Sequence, residues 1–171
     1  PSKQIINIEF DNIKKLNLKT DKWNTINAIF IDNNSDKTVL YFHWNGWNIY
    51  YSKNMIKVFN DLKLNAYIFD YRWYWKSDWT IKNENDFYVD NDFMYNYILK
   101  SWVKEENIIL WWQSLWWALA INTAQNKNIY ALIVQSSFYS MVDMAKLKFP
   151  FLPIDYLIKY KFESYKKLKN I

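Results

Sequence analysis

Cysteine is absent from this 171-residue sequence, and glycine and histidine each occur once. A chain without thiols cannot form disulfides or iron–sulfur clusters, and it cannot bind zinc through cysteine. The single histidine, His43, also excludes a histidine-rich metal site. Glycine makes up about 7% of an ordinary domain, or about 12 residues in a chain of this length. The scarcity of glycine is therefore the feature that most needs an explanation.

Tryptophan is as abundant as glycine is scarce, with 11 residues. Most fall where a turn is expected: Trp23, Trp44, Trp47, Trp73, Trp75, Trp79, Trp102, Trp112, Trp116 and Trp117. Turns call for a residue that can adopt positive φ, which glycine does freely and a bulky indole does not. We hypothesise that most of these codons specify glycine in the source organism, as a reassigned stop codon would. At position 111 the sequence is compatible with either glycine or tryptophan. The alternative to the glycine hypothesis is a truly tryptophan-rich binding module.

The net charge of +5 comes with 21 lysines and one arginine, Arg72. Asparagine and isoleucine are equally common, at 21 and 20 residues, as expected of an AT-rich coding sequence. No basic stripe with interleaved aromatics is present, so we predict no nucleic-acid partner. The densest basic run, Lys159 to Lys169, is expected to form a solvated helix face.

No signal peptide and no uninterrupted apolar run of membrane-spanning length is visible. The chain begins at Pro1 rather than at methionine, so membrane association would require a segment upstream of this sequence. A cytoplasmic and a membrane-associated location both stay open.

Along the chain, short apolar runs alternate with segments in which apolar residues recur at helical spacing. They predict strands at Thr38–His43, Asn65–Asp70, Asn107–Leu110 and Ile129–Gln135, and helices at Tyr50–Leu62, Asp86–Leu99 and Leu115–Ala124. The strand runs are continuous, as in parallel strands covered on both faces. This order predicts an α/β domain, a three-layer α/β/α sandwich with a mainly parallel sheet. Ile5–Phe10 and Asn27–Ile31 are predicted to form an antiparallel N-terminal hairpin, with its turn at Asp21–Asn24.

Ser114 lies between a predicted strand and a predicted helix. With glycine in place of Trp112 and Trp116, the segment around it has the pattern G-x-S-x-G, and Trp117 follows as a further glycine position. In this context the pattern is typical of a nucleophile elbow, where a serine at a sharp turn presents its hydroxyl clear of the sheet. The backbone N–H of Leu115, at the start of the helix, would then face the oxyanion.

A second loop would complete such a site. Residues 43–48, after the first predicted parallel strand, have the pattern H-G-N-G-G-N when glycine replaces Trp44 and Trp47. We predict that Asn45 provides the second backbone N–H of an oxyanion hole. His43 ends the strand, and a role in shaping this loop is favoured over catalysis as a base.

With D-Y-R-G-Y-G-K-S-D-G at residues 70–79, these motifs resemble the α/β-hydrolase superfamily, in its serine aminopeptidase-like and lipase-like branch. The resemblance runs from about Leu18 to the C-terminus and implies that Ser114 is the nucleophile of a hydrolase. It implies a small-molecule or peptide acyl substrate (an ester, thioester or amide) and no cofactor or metal. Asp70 and Arg72 would support a loop near the pocket. One domain is expected, with a core at about 18–137 and a cap-like segment at about 138–171.

The resemblance also shows what is absent. In this family an acid and a histidine follow the serine along the chain, and no histidine follows Ser114 here. Asp143 and Asp155 fall in the cap-like segment, where structural roles are expected for both. We therefore expect an incomplete α/β-hydrolase domain that lacks its last strands, with the acid and the histidine beyond Ile171. Alone it would be inactive and prone to aggregate; the alternative is a non-catalytic binding protein of this fold.

Overall fold

The computed structural model describes residues 10–20, 25–43, 49–71, 85–113, 117–135, 140–158 and 166–171. These residues form six β-strands and five α-helices. The strands are β1 (Ile13–Lys19), β2 (Thr25–Ile31), β3 (Thr38–Phe42), β4 (Asn65–Phe69), β5 (Ile108–Gln113) and β6 (Ala131–Gln135). The helices are α1 (Lys53–Asp61), α2 (Asn85–Lys100), α3 (Trp117–Ala124), α4 (Met141–Lys148) and α5 (Ile154–Leu157). Short 3₁₀ segments lie at Ile49–Ser52, Glu105–Asn107 and Leu168–Asn170.

The strands form one sheet in the order β1-β2-β4-β3-β5-β6. Strands β4, β3, β5 and β6 run parallel, whereas β2 is antiparallel to both of its neighbours, β1 and β4. The predicted mainly parallel sheet with an N-terminal antiparallel hairpin is confirmed. The carboxyl ends of the parallel strands meet at one edge, which is where ligand sites of open α/β sheets lie.

Helices cover both faces of this sheet. On β3, Leu40 and Phe42 belong to a core that includes residues of α2 and α3, whereas Val39 and Tyr41 belong to a second core that includes residues of α1. The division follows from the two-residue period of a strand, and all five residues of β3 are buried. The predicted three-layer architecture is therefore confirmed.

The hairpin forms from β1 and β2, and the predicted use of Ile5–Phe10 as its first strand is wrong. Leu16 pairs with Ala28 and Leu18 with Ile26, and the leucines alternate with exposed lysine or asparagine. Such alternation suits a strand that packs on the core through one face only, and a search for continuous apolar runs misses it. Phe10 precedes the strand, while residues 1–9 and the predicted turn at 21–24 lie outside the described residues.

Within the basic C-terminal run, Lys166 and Lys169 are exposed, as predicted for a solvated face, whereas Lys167 is partly buried. Lys167 donates hydrogen bonds to Asn122 Oδ1 at 2.7 Å and to the Tyr88 hydroxyl at 3.2 Å. A lysine stem is long enough to bring the ammonium group to such partners, so this end of the chain docks on α2 and α3. Residues 159–165 of the run lie outside the described part. None of the helices that the structure describes has the length and apolar character needed to span a bilayer.

Candidate functional site

The candidate site lies at the sheet edge where β3, β4 and β5 end. His43 directly follows β3, Asp70 directly follows β4, and Gln113 is the last residue of β5. The register pairs Phe42 with Trp112, so the chain leaves β3 and β5 side by side. Seven predicted site residues lie outside the described residues: Trp44, Asn45, Trp47, Arg72, Ser114, Leu115 and Trp116.

Ser114 falls in a short connection between a strand and a helix. Strand β5 ends at Gln113 and α3 begins at Trp117, which leaves residues 114–116 between them. Strand β5 lies inside the sheet, between β3 and β6. Ala118 and Leu119 of α3 belong to the hydrophobic core on the sheet face that α2 and α3 cover. A short strand-to-helix connection at the carboxyl edge of a sheet is the setting that a nucleophile elbow requires.

The side chains of His43 and Asp70 meet at this edge. His43 Nε2 lies 3.6 Å from Asp70 Oδ1, which is a charge contact when the imidazole is protonated. The ring of His43 also lies 5.4 Å from the ring of Tyr71, measured between centroids. Both rings are buried. Asp70 and Tyr71, which follow β4, therefore both contact His43, which follows β3. The role of His43, in catalysis or in shaping the loop, stays a prediction.

Asp70 makes a second contact on the other side of the predicted oxyanion loop. Its Oδ1 accepts a hydrogen bond from the backbone N–H of Ile49 at 2.9 Å. Ile49 is buried in the core on the α1 face. A single carboxylate oxygen thus contacts both residues that flank the segment 44–48.

Tyr41 and Gln113 link β3 and β5 beside Ser114. The Tyr41 hydroxyl donates a hydrogen bond to Gln113 Oε1 at 3.0 Å. Burial raises the pKa of Tyr41 to about 12, so the phenol keeps its proton and remains a donor at neutral pH. The sequence pattern singled out neither residue, because Gln113 fills a variable position of the elbow motif and Tyr41 looks like ordinary strand core. The sequence signal that could have identified Gln113 is that its polar side chain stands directly before Ser114.

Trp111 and Trp112 belong to β5, which the pattern predicted to end at Leu110. Trp111 pairs with Tyr41 on one side, and the buried indole of Trp112 lies 5.0 Å from the ring of Phe42. Neither tryptophan has positive φ. Extended backbone accommodates a side chain, so the case for glycine at position 112 depends on the elbow motif rather than on the local backbone.

Trp102 occupies a conformation in which glycine is the preferred residue. It follows α2, its φ is 67°, and its side chain is 95% exposed. Its N–H donates to the carbonyl of Leu99 at 3.2 Å, as the residue after the C-cap does in a Schellman motif. A side chain larger than hydrogen is disfavoured in this left-handed region.

Asp143 and Asp155, two of the three acidic residues that follow Ser114, make contacts typical of structural residues. The backbone N–H of Asp143 donates to Ser140 Oγ at 3.0 Å, and this caps the start of α4. Asp155 forms an ion pair with Lys146 at 2.8 Å on the surface. Neither belongs to a metal-binding group, and no cluster of histidine and acidic side chains suited to a metal ion occurs among the residues that the structure describes.

Two proteins related in sequence match most of this chain. The chain is 35% identical over 151 residues to uncharacterized protein R595 of Acanthamoeba polyphaga mimivirus, an alignment that covers 81% of this chain and 51% of that protein. It is 30% identical over 159 residues to protein bem46 of Schizosaccharomyces pombe, covering 88% of this chain and 52% of that protein. The chain therefore spans about half the length of these relatives. No protein-family model matches the sequence.

Solved hydrolases share the arrangement of strands and helices. The Pyrococcus furiosus esterase Pf2001 matches with a TM-score of 0.65 at 16% identity, over 93% of this chain and 65% of that structure. An alpha-beta serine hydrolase homologue from Coxiella burnetii matches with a TM-score of 0.58 at 15% identity, over 71% of this chain and 61% of that structure. The chain has the α/β-hydrolase fold. In an α/β-hydrolase fold, the edge where His43, Asp70 and Gln113 lie is the edge that presents the nucleophile.

Proposed function

We propose that the full-length protein is a serine hydrolase that acts on an ester, a thioester or an amide. The observation that carries the proposal is the position of Ser114 in the short connection between β5 and α3. This connection lies at the carboxyl edge of a sheet with the α/β-hydrolase fold, where an elbow would present a serine hydroxyl. Likeness in fold to an esterase and to a serine hydrolase homologue supports the same class of reaction.

In the proposed reaction, Ser114 Oγ attacks the carbonyl carbon of the substrate while a histidine takes the hydroxyl proton. The backbone N–H groups of Leu115 and Asn45 stabilise the negative charge that develops on the carbonyl oxygen. The leaving group departs with the proton from the histidine, and the acyl group stays on Ser114 as an ester. Water, deprotonated by the same histidine, then releases the acid and restores the serine. The reaction needs no cofactor.

The acid and the histidine of this reaction are proposed to lie beyond Ile171. In enzymes of this fold both follow the nucleophile along the chain, whereas His43 precedes Ser114. Both relatives are about twice as long as the part that aligns with this chain, so a longer protein has room for them. Because a serine hydroxyl without a base is a weak nucleophile, we expect the 171-residue chain alone to be inactive.

The elbow and the oxyanion loop are proposed to contain glycine where this sequence has tryptophan. The positions are Trp44, Trp47, Trp112, Trp116 and Trp117. Small residues on both sides of Ser114 let the strand and the helix approach closely, and glycine in the loop leaves its backbone N–H groups accessible. The left-handed conformation at Trp102 supports the same replacement elsewhere in the chain.

The test is labelling with a fluorophosphonate, which forms a covalent bond with an activated serine. Full-length protein with its downstream sequence, and with glycine at the proposed positions, is expected to be labelled, whereas Ser114→Ala should lose the label. Ser101→Ala is the matched control, because it removes a hydroxyl that donates to the carbonyl of Tyr97 at the end of α2. It should label like the unsubstituted protein.

Equal labelling of Ser114→Ala and the unsubstituted protein would contradict the assignment of the nucleophile. Full-length protein that is folded and takes no label would favour the alternative, a non-catalytic binding protein with the α/β-hydrolase fold. Circular dichroism establishes that each variant is folded before labelling is compared.

A further inference from the structure

An unbroken run of exposed residues leads from the end of α4 to the start of α5. Every residue of 146–153, which we call the apolar loop, is exposed. Four of these eight residues have large apolar side chains: Leu147, Phe149, Phe151 and Leu152. Leu147 is 82% exposed and Phe151 is 97% exposed. We propose that the apolar loop docks the protein on the surface of a membrane that contains anionic lipid.

The apolar loop is held from both sides. Val142 on α4 and Ile154 on α5 are buried, and the two helices contact each other. The ion pair between Lys146 Nζ and Asp155 Oδ2, at 2.8 Å, joins α4 to α5 across the loop. Because both of its ends are packed, the exposure of the side chains between them is part of the fold.

The backbone of the apolar loop suits a region that is poor in water. Pro150 and Pro153 have no N–H group, so residues 149–153 carry only three. Two of these are bonded within the segment: Phe149 donates to the carbonyl of Ala145 at 2.7 Å, and Leu152 donates to the carbonyl of Phe149 at 3.2 Å. Backbone donors that enter lipid without a partner cost free energy. Most of that cost is therefore avoided here.

The charge around the apolar loop favours an anionic surface. Residues 140–171 contain seven lysines and three acidic residues, so they carry four of the five net positive charges of the chain. Asp155, the acid that follows the loop, is paired with Lys146. Lys148 is exposed, and its Nζ lies 6.0 Å from the ring centroid of Phe149. Apolar side chains beside lysines bind anionic membranes, because the apolar groups enter the lipid while the ammonium groups stay at the headgroups.

The shape of the apolar loop favours lipid over a second protein surface. Its eight successive exposed residues leave a short helical end and then turn, so their side chains point in several directions. A protein partner would need a complementary groove around them, whereas lipid adapts to an inserted side chain. The sequence predicted membrane association only through an upstream segment, because the pattern sought was a run long enough to span a bilayer. The apolar loop is much shorter and reaches only the interface.

Docking is tested by co-sedimentation of the full-length protein with sucrose-loaded vesicles. One set contains phosphatidylcholine alone, and the other contains phosphatidylcholine and phosphatidylserine in equal amounts. The protein should bind the second set, and Phe151→Ser should weaken this binding about tenfold, because a phenylalanine side chain no longer leaves water. Failure of the unsubstituted protein to sediment with either set would overturn the proposal.

Leu62→Ser is the matched control. Leu62 is 54% exposed and lies between α1 and β4, at the edge of the sheet where the parallel strands begin. Since Leu62 and Phe151 are both exposed, neither substitution should disturb the core. Leu62→Ser should bind like the unsubstituted protein. If Phe151→Ser also binds without loss, the lipid contacts another surface and the proposal is wrong.

The contribution of charge is measured with the same vesicles. Lys148→Gln should weaken binding to the anionic set about fivefold, because each lysine near such a surface adds electrostatic attraction. Added salt should weaken the binding as well. Equal binding to both sets, or binding that neither change affects, would overturn the preference for anionic lipid.

Two other occupants of the apolar loop would give different results. If a second copy covers it, light scattering should show a dimer that Phe151→Ser dissociates, and no vesicle binding. If the downstream part of the protein covers it, Phe151→Ser should lower the free energy of unfolding, again with no vesicle binding. Either result would overturn the proposal. None of these measurements uses catalysis, so failure of the proposed function would leave them unaffected.

Discussion

Helices α1, α2 and α3 are each followed by a residue with positive φ, and these residues are Lys63, Trp102 and Asn126. Asparagine is among the residues that tolerate this conformation best, apart from glycine. At Trp102 the steric cost is not offset by packing, because 95% of the side chain is exposed. The same residue was assigned to a turn from the sequence, so its local backbone agrees with the hypothesis that its codon specifies glycine.

We predict that Trp102→Gly raises the free energy of unfolding of the full chain by about 1 kcal/mol, because glycine removes the Cβ clash of the left-handed region. Trp102→Ala keeps the Cβ and should give no such gain. Lys63→Gly should give a gain of similar size, since φ at Lys63 is 55°. Urea unfolding measures all three, and peptide mass spectrometry of protein from its native source should find glycine at positions 102, 112 and 116.

Finding tryptophan at positions 112 and 116 of the native protein would contradict the glycine hypothesis at the two positions on which the proposed function depends. It would also remove the elbow and favour the tryptophan-rich binding module. Loss of stability in Trp102→Gly, with a gain in Lys63→Gly, would show instead that the indole at 102 makes a contact of its own.

Among the elements, three of the parallel strands were predicted closely from the sequence. Strands β3 and β4 begin at the predicted residues, and β6 begins two residues later than predicted. Their continuous apolar runs depend only on burial, which is a local signal. Strand β1 was missed because a strand with one buried face alternates between apolar and polar residues. Strand β5 was predicted to end at Leu110, three residues too early, because Trp112 had been assigned to a turn.

The hydrogen bond from Tyr41 to Gln113 joins elements β3 and β5, and the burial of the Tyr41 phenol predicts a pH dependence. The phenol has an ordinary pKa of about 10 in the unfolded chain and a pKa of about 12 when folded. Below pH 10 both states hold the proton. Between pH 10 and 12 the unfolded state releases it first, so the free energy of unfolding falls as the pH rises, by roughly 2 kcal/mol for this group. Tyr41→Phe should therefore show a shallower loss of stability in that range.

Urea unfolding at a series of alkaline pH values measures this effect. Tyr156→Phe, at a tyrosine that is 91% exposed, controls for the loss of one phenol. A decline in Tyr41→Phe as steep as in the unsubstituted protein would contradict the prediction and would mean that Tyr41 is not protected by burial.

At the scale of the whole molecule, the two edges of the sheet differ in chemistry. Within the described residues β1 and β6 are the edge strands. Strand β1 carries Lys14, Lys15 and Lys19, and lysine on an edge strand discourages pairing with another chain. Strand β6 has no charged residue, and four of its five residues are only partly buried. Exposed apolar side chains also occur in the cap-like segment, among them Leu147, Phe151 and Tyr156.

We predict that the 171-residue chain alone associates with itself, and that the chain extended by its downstream sequence does so less. The reason is that an uncharged, unpaired edge strand is a template for another strand. Light scattering measures the association, and hydrogen exchange at residues 131–135 should slow in the longer chain. Exchange at residues 13–19, the charged edge, should be the same in both chains. A stable monomer of the short chain would contradict this and make a small non-catalytic protein of the same fold more credible.

The sequence by itself determined the fold class and the order of elements, because burial on both faces requires continuous apolar strands and helices leave their own spacing. It also placed His43 and Asp70 at the ends of predicted strands and Ser114 between a predicted strand and a predicted helix, which is again local information. Only the tertiary structure decided which of these groups touch. Asp70 meets Ile49 across 21 residues of chain, and Tyr41 meets Gln113 across 72. Such contacts depend on strand order and register, which are set by the packing of distant segments against each other.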